Sequence, residues 1–284
     1  MSDGRGAGAV GTNRVLVAVG AAAALAVSGG CFSNSTMTLA RTQPKGTVTG
    51  YVGPTGVVVT STGNCGGSTS CSGSIGWAQV EGGFHYSVTD EVEIGLKGYI
   101  PGLAFDTKIG FIRARDPDNG FNLSIDPEIG IMGFAVGSSS SSGGGSVGAA
   151  ALTFSLPLLL GIDFSGHELV IAPRLTDWLF IAGADSANAG GNILFAGGSV
   201  GMAFKVLPKL RIMPDISVMA PVLLTGFANG MSATVSTSNF FAGLVVQFGV
   251  GFLFGGEDRR VAPPMYNNSP PPMYNNSPPP GYVQ

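Results

Sequence analysis

The segment 239–254, NFFAGLVVQFGVGFLF, constrains the fold more than any other part of the chain. Every second residue from Phe240 to Phe254 is apolar, whereas the positions between them include Gln247 and three glycines. Alternation with a period of two is the pattern of a β-strand with two unlike faces. Strands of soluble sheets usually run about 5 to 6 residues, whereas a tilted strand needs about 9 to 11 to cross a bilayer. The segment is therefore long enough to span a membrane, with its bulky face toward lipid and its small face toward a tight interior.

The composition of the chain agrees with a membrane barrel. Only 11% of the 284 residues are charged, 44% are hydrophobic and 46 are glycine. A barrel in lipid needs an apolar outer face, and its crowded interior needs small residues. After residue 30 no continuous apolar run reaches about 18 residues, so membrane-spanning helices are not expected. The net charge is −3 and there is no basic patch, so nucleic acid is not expected as a partner.

Nine further segments alternate in the same way, which predicts an all-β fold, a single antiparallel, up-and-down transmembrane β-barrel. Ten strands are an even number, as bacterial barrels require, and eight strands are the alternative because the first two segments are the least regular. The predicted strands are residues 46–60, 76–88, 91–100, 104–115, 120–135, 150–164, 167–182, 191–205, 209–222 and 238–254. Short and mostly longer connections alternate between them. Outer-membrane barrels have short periplasmic turns and long outer loops, so both termini are predicted to be periplasmic.

The first 30 residues are predicted to be a signal peptide rather than part of the fold. A basic stretch precedes the apolar run 15–27, and small residues lead to Cys31. This arrangement resembles the lipobox of bacterial lipoproteins, which implies that Cys31 becomes the lipidated first residue. The alternative is ordinary cleavage near residues 24–26. Residues 31–45 would then form a polar periplasmic linker.

Two cysteines remain if Cys31 carries lipid. Cys65 and Cys71 are six residues apart in a stretch rich in glycine and serine. An even pair outside the cytoplasm predicts a disulfide, here in an exposed loop. Residues 61–76 contain no His, Asp or Glu, so no metal site is predicted there, and no cofactor is indicated elsewhere.

The C-terminal segment 256–284 is rich in proline and follows the predicted barrel, residues 46–255. It repeats the octapeptide PPMYNNSP at 263–270 and 271–278. Such a repeat favours extended polyproline conformations and buries no core. A disordered extension is the simpler interpretation. The alternative is a tail that docks on the cell wall or on a periplasmic partner.

Inward positions carry several charges once the apolar faces are assigned outward. Such charges must pair or contact water, because unpaired burial is costly. Some stand beside prolines in the sequences DPEI, APRL and MPDI, where a missing ladder donor predicts weakened pairing. One interpretation is a salt-bridge plug across the interior, and the other is an ion or substrate path. The predicted lumen charges are Glu81, Lys97, Asp126, Glu128, Arg174 and Asp215.

The chain is predicted not to be an enzyme. Ten-stranded outer-membrane proteases carry acids and a histidine at the outer rim, but the predicted outer loops here contain a single ionisable residue, Asp185. The two histidines, His85 and His167, fall toward the opposite end of the barrel. No nucleophile elbow stands in a strand–turn–helix context.

Two resemblances extend these predictions. The spacing polar-x-Gly-x-x-Phe-x-Phe resembles the β-signal read by the barrel assembly machinery, and the matching residues are Gln247, Gly249, Phe252 and Phe254. The sequences LAVSGGC, TMTLARTQPKG, GGFHYSVTDEVEIGLKG and IAPRLTDW resemble outer-membrane lipoproteins of myxobacteria-like organisms. That resemblance implies a β-barrel in the outer membrane of a Gram-negative bacterium, in contact with its lipid, and implies no chemistry. The predicted function is a non-enzymatic envelope barrel, structural or surface-exposed, with a plugged lumen, and the alternative is a narrow, cation-preferring diffusion channel, because acids outnumber bases in the lumen.

Overall fold

The computed structural model describes residues 33–256 apart from 65–69, 101, 117, 138–145, 185–186, 229–230 and 237–242. The predicted signal peptide, Cys31, Cys65 and the repeats of the tail lie outside the described residues. Within the described part of the chain, no helix is long and apolar enough to cross a membrane.

Twelve β-strands account for nearly all of the described chain. They are β1 Val48–Asn64, β2 Ser70–Ser87, β3 Val92–Tyr99, β4 Gly102–Ile112, β5 Asn119–Ile125, β6 Glu128–Gly137, β7 Ser146–Phe164, β8 His167–Ala184, β9 Ala187–Leu207, β10 Leu210–Ala228, β11 Met231–Ser236 and β12 Val245–Gly255.

These twelve elements close into a barrel of ten wall strands. β5 and β6 are two halves of one wall strand, because both lie between β4 and β7. β11 pairs only with the far end of β10. β12 closes the ring between β10 and β1, with Gln247 opposite both Ser217 and Val57. All neighbours are antiparallel, which confirms the predicted up-and-down barrel with ten strands rather than eight.

Strand pairing is interrupted at all three prolines for which weakened pairing is predicted. Pro127, which lacks the N–H that a ladder needs, lies in the gap between β5 and β6. Pro173 and Pro214 lie inside the continuous strands β8 and β10. On one side of each strand the register nevertheless has a gap, because β8 lacks pairs with β7 at Pro173 and β10 lacks pairs with β9 at Pro214. Pairing is thus weakened at two of the prolines, and the strand is split at the third.

The two ends of the barrel differ, although less than predicted. At the end we call the turn side, β7 and β8 are joined by Ser165-Gly166, whose φ angles of 51° and 80° are those of a type I′ hairpin turn. At the opposite end, the loop side, strand pairing continues through much of the predicted loops, because each added pair satisfies backbone donors and acceptors. Cys71 consequently lies in β2, opposite Gly63, and not in a loop. The predicted Cys65–Cys71 disulfide stays a prediction.

The wall is apolar outside and polar inside. Every wall strand exposes large hydrophobic side chains, for example Phe84, Leu156 and Phe248, which are 50%, 50% and 54% exposed. Alternate residues face inward, and among them Glu81 and Gln247 are almost completely buried. An apolar surface of this extent around a closed barrel is suited to lipid.

Candidate functional site

The lumen contains a stretch of the chain itself. Residues 33–44, which precede β1, run inside the barrel without regular secondary structure, and we call them the inner segment. Most of its residues are buried, including Ser33, Met37 and Gln43. The prediction of a periplasmic linker at 31–45 is therefore wrong for these residues. A polar stretch of this kind has the composition of a linker, but here its polar groups find partners on the barrel wall.

Glu81 and Lys97 bind the first residues of the inner segment at mid-height in the lumen. The Glu81 carboxylate accepts short hydrogen bonds from the hydroxyls of Ser33 and Ser35. The Lys97 ammonium donates to the carbonyl oxygens of the same two residues at 3.5 Å. One acid and one base of the wall thus bind the same two serines.

Three further wall residues hold the segment at this level. Arg174 Nη2 donates to Thr36 Oγ1 at 2.7 Å, and that hydroxyl also lies in hydrogen-bond contact with Ser199 Oγ. The side-chain oxygen of Gln247 accepts from the backbone N–H of Asn34 at 2.7 Å. Backbone groups without a sheet partner must be satisfied in some other way, and wall side chains supply that here.

The turn-side half of the segment is bound in the same manner. Lys108 Nζ donates to Thr38 Oγ1 and to the carbonyl oxygen of Leu39, both at 3.2 Å. Glu168 Oε1 accepts from the N–H of Ala40 at 2.8 Å. Glu93 accepts a short hydrogen bond from the N–H of Gln43.

Five of the six predicted lumen charges are buried, and Glu128 is partly exposed. Within that set and the described residues, one ion pair forms, between Lys97 Nζ and Glu128 Oε2 at 3.5 Å. Lys97 also contacts the inner segment, and so do Glu81 and Arg174. Within this set, contacts with the inner segment are therefore more frequent than ion pairs between the charged side chains.

Glycines on the inner face make room for the segment. A Cβ on Gly249 would lie 2.7 Å from Met37 Cε, and one on Gly161 would lie 2.7 Å from Ala40 Cβ. Contacts this close require something to move. The small residues expected for a crowded interior thus line the path of the inner segment.

Bulky apolar side chains fill the loop-side half of the lumen, which the sequence analysis did not predict. The rings of Trp178 and Phe195 lie with centroids 4.7 Å apart. Tyr99, Phe180 and Met219 are buried in the same cluster, which we call the loop-side cluster. The alternation in β8 could have predicted this cluster, because it places Trp178 and Phe180 on the same inward face as Arg174.

A second group of buried charges, near the turn side, was also missed. Lys108 Nζ lies 2.6 Å from Glu93 Oε2, and His85 Nε2 lies 3.0 Å from Asp106 Oδ1. Alternate residues of a strand share a face, so the inward assignment of Lys97 also predicts that Glu93 lies on the inner face of β3.

A cavity of about 680 Å³ opens below the inner segment at the turn side. Residues 37–44 form part of its wall, together with Tyr51 and His85. Basic side chains are frequent around it: Arg41, Lys108, Arg113, Arg115, Lys209 and Arg211.

The four residues that match the β-signal divide between the two faces of β12. Gln247 is fully buried in the lumen, and Gly249 packs against Met37. Phe252 and Phe254 are 38% and 42% exposed on the outer face. Recognition by the assembly machinery stays a prediction.

The closed antiparallel wall, with its apolar exterior and polar interior, defines the class of transmembrane β-barrels. In this barrel residues 33–44 occupy the lumen.

No protein-family model matches the chain, and no curated protein matches it. Among solved structures, the outer membrane protease OmpT from Escherichia coli is 10% identical, with 80% of this chain and 100% of that chain covered and a TM-score of 0.42. The translocator domain of the autotransporter NalP from Neisseria meningitidis is 11% identical over 86% and 97%, with a TM-score of 0.40. The outer membrane protein OprG from Pseudomonas aeruginosa is 10% identical over 78% and 100%, with a TM-score of 0.32. At such values the function must be derived from the barrel itself.

Proposed function

We propose that the protein is a non-enzymatic barrel of the Gram-negative outer membrane whose lumen is closed by its own chain. The observation that carries the proposal is the inner segment, which is bound by wall side chains from Glu81 at mid-height to Glu93 near the turn side. The loop-side cluster around Trp178 and Phe195 adds an apolar layer beyond it. The inner segment blocks the path by filling it, and an ion crossing the apolar layer would have to lose its water without gaining a partner, which is costly.

The orientation of the barrel follows from its two ends. β1 begins and β12 ends at the turn side, where β7–β8 and β9–β10 are each joined by two residues, whereas the loop side has the additional strand β11 and the eight-residue connection between β6 and β7. Outer-membrane barrels keep their short turns in the periplasm. We therefore place Val48 and Gly255 toward the periplasm, with the assembly machinery reading β12 from that side and the tail available to a cell-wall partner.

A narrow cation-preferring channel is the second candidate, and the balance of lumen charge favours it. Among the residues that the structure describes, the buried acids are Glu81, Glu93, Asp106, Asp126, Asp163, Glu168 and Asp215, and the buried bases are Lys97, Lys108 and Arg174. Acidic groups that line a path attract cations at close quarters. If the inner segment left the lumen, the path behind it would therefore select cations.

Planar-bilayer recordings of the refolded mature chain test the proposal. We expect the wild type to be silent. We expect a cation-selective conductance only when residues 33–44 are deleted and Trp178→Ala and Phe195→Ala are introduced together. The double substitution with an intact inner segment is the matched control, and it should stay closed.

Heat-modifiable migration on gels must show that each variant has folded before it is recorded. Should the deletion variant fail this check, Glu81→Gln with Arg174→Gln replaces it, because these changes remove contacts without shortening the chain. A stable cation-selective conductance of the wild type would overturn the closed barrel in favour of the channel.

A further inference from the structure

His85, Asp106 and Asp126 meet on the inner face of neighbouring wall strands. In the register of the sheet, His85 of β2 stands opposite Gly95 of β3, and Gly95 stands opposite Asp106 of β4. A Cβ on Gly95 would lie 2.2 Å from Asp106 Oδ1 and 2.3 Å from His85 Cδ2. Because glycine leaves this space free, the side chains of β2 and β4 reach each other across β3. Asp126 joins them from the gap between β5 and β6.

The three side chains are close together and buried. One nitrogen of the imidazole and one oxygen of each carboxylate lie within 4.8 Å of one another. The residues are 6%, 4% and 8% exposed, in the order His85, Asp106 and Asp126. Among the residues that the structure describes, none donates a hydrogen bond to Asp126 Oδ1. Burial of a carboxylate oxygen without a partner is costly, so the Asp126 carboxylate beside this cluster is available to bind a cation.

Neighbouring cations are already engaged elsewhere. Lys108 lies 2.6 Å from Glu93 and donates to the inner segment. Lys97 pairs with Glu128, the residue that stands opposite Asp106 in the register. Two carboxylates therefore share this site with one imidazole, and like charges at such distances repel.

We propose that His85, Asp106 and Asp126 bind a divalent transition-metal ion of the zinc class. One imidazole nitrogen and two carboxylate oxygens are ligands that Zn²⁺ accepts, with bonds of about 2.0 to 2.2 Å. Mg²⁺ and Ca²⁺ prefer sites built from oxygen alone. A divalent ion would neutralise both carboxylates and fill the position in front of Asp126 Oδ1. It would also join β2, β4 and the β5/β6 gap.

The present geometry is near that of a bound site. Ligand atoms around a tetrahedral zinc lie about 3.3 Å apart, close to the 3.0 Å between His85 Nε2 and Asp106 Oδ1. The ion would replace the proton between these two atoms, and that proton would be released to solvent on binding. All three ligand atoms lie within 4.8 Å of one another, so the largest distance between two of them must shrink by at most about 1.5 Å. Rotation of the side chains can supply a change of this size. His85 lines the turn-side cavity, so an ion can reach the site from that end of the barrel. The proposal does not depend on whether the lumen is closed to ion flow.

Zn²⁺ binding to the refolded mature chain tests the site, measured by equilibrium dialysis and elemental analysis. The cysteines are alkylated first, so that thiolates do not compete for the metal. We expect one Zn²⁺ per chain for the wild type. His85→Gln and Asp126→Asn should each weaken binding at least about 100-fold, beyond the 10- to 100-fold typical of an outer-shell partner. Gly95→Ala should weaken it as well, because the new methyl group occupies the space between the ligands.

Asp177→Asn is the matched control, because it removes a carboxylate that binds Asn192 Nδ2 and lies outside the three ligands. It should bind Zn²⁺ as the wild type does. Absence of Zn²⁺ binding by the folded wild type would overturn the proposal. Retention of full binding by both His85→Gln and Asp126→Asn, or its loss in Asp177→Asn, would overturn it equally. Heat-modifiable migration verifies the fold of each variant. As a second readout, Zn²⁺ should raise the unfolding temperature of the wild type and of Asp177→Asn, and should raise it less or not at all in His85→Gln and Asp126→Asn.

Discussion

Arg174 Nη2 donates a hydrogen bond of 2.7 Å to Thr36 Oγ1, which joins β8 to a segment 138 residues earlier in the chain. Both residues are buried, Thr36 at 3% and Arg174 at 6% exposure. The contact belongs to the set that holds residues 33–44 in the lumen. The stability of the barrel is therefore linked to the proposed closure of its lumen, because the same side chains would serve both.

We expect Arg174→Gln and Thr36→Val to show energetic coupling. A hydrogen bond to a charged group contributes about 1.5 to 3 kcal/mol, and residues in direct contact are not additive. The double-mutant cycle, measured by urea unfolding in detergent, should give a coupling of about 2 kcal/mol. A cycle of Arg174→Gln with Asp177→Asn is the control and should be close to additive. Additivity of the first cycle would show that the inner segment does not dock on Arg174.

We expect Gly161→Ala to destabilise the barrel. The added Cβ would lie 2.4 Å from Glu168 Oε1 and 2.7 Å from Ala40 Cβ, so either the segment or the wall must move. Overpacking of this kind costs about 1 to 3 kcal/mol. Gly133→Ala is the matched control, because a Cβ there meets no atom within 4 Å. Equal unfolding free energies for the two variants would contradict the placement of Ala40.

We expect Cys65 and Cys71 to form a disulfide, with little effect of its loss on the wall. The backbone of Cys71 pairs with Gly63 at the loop-side end of β2, far along the strand from Glu81 and the inner segment. Peptide masses after alkylation, with and without prior reduction, decide whether the bond exists. Identical masses would rule it out. Cys71→Ser should leave the heat-modifiable migration of the barrel unchanged.

Metabolic palmitate labelling tests the predicted lipid on Cys31, with Cys31→Ala as the control. We expect label in the wild type only. The expectation rests on the lipobox-like residues before Cys31. Because two residues of extended chain reach only about 7 Å, Ser33 cannot stay bound to Glu81 in a chain whose Cys31 lipid lies in the membrane. A labelled chain is therefore one in which the start of the inner segment has left that position. Label in Cys31→Ala, or its absence from both chains, would contradict lipidation at this residue.

The sequence by itself determined the class of the fold and the direction of the side chains in the regularly alternating strands. In 239–254 the alternation predicts that Gln247 faces inward and that Phe248 faces outward, and both do so. Side-chain direction in a strand is a local property, because successive residues point to opposite faces of the sheet. The same rule places Glu81, Lys97 and Arg174 in the lumen.

What occupies that lumen was decided by the tertiary structure alone. Asn34 binds Gln247 across 213 residues of chain, and Ser33 meets Glu81 only after the barrel has closed. From its composition alone, the polar stretch 33–44 is interpreted as a linker, because its sequence does not show which side chains of distant strands will bind it. The meeting of His85, Asp106 and Asp126 likewise depends on the register of three wall strands and on the missing side chain of Gly95. The alternation of residues along a strand predicts whether a side chain points into or out of the barrel. Which side chains it then contacts depends on the pairing of the strands and on the closure of the barrel.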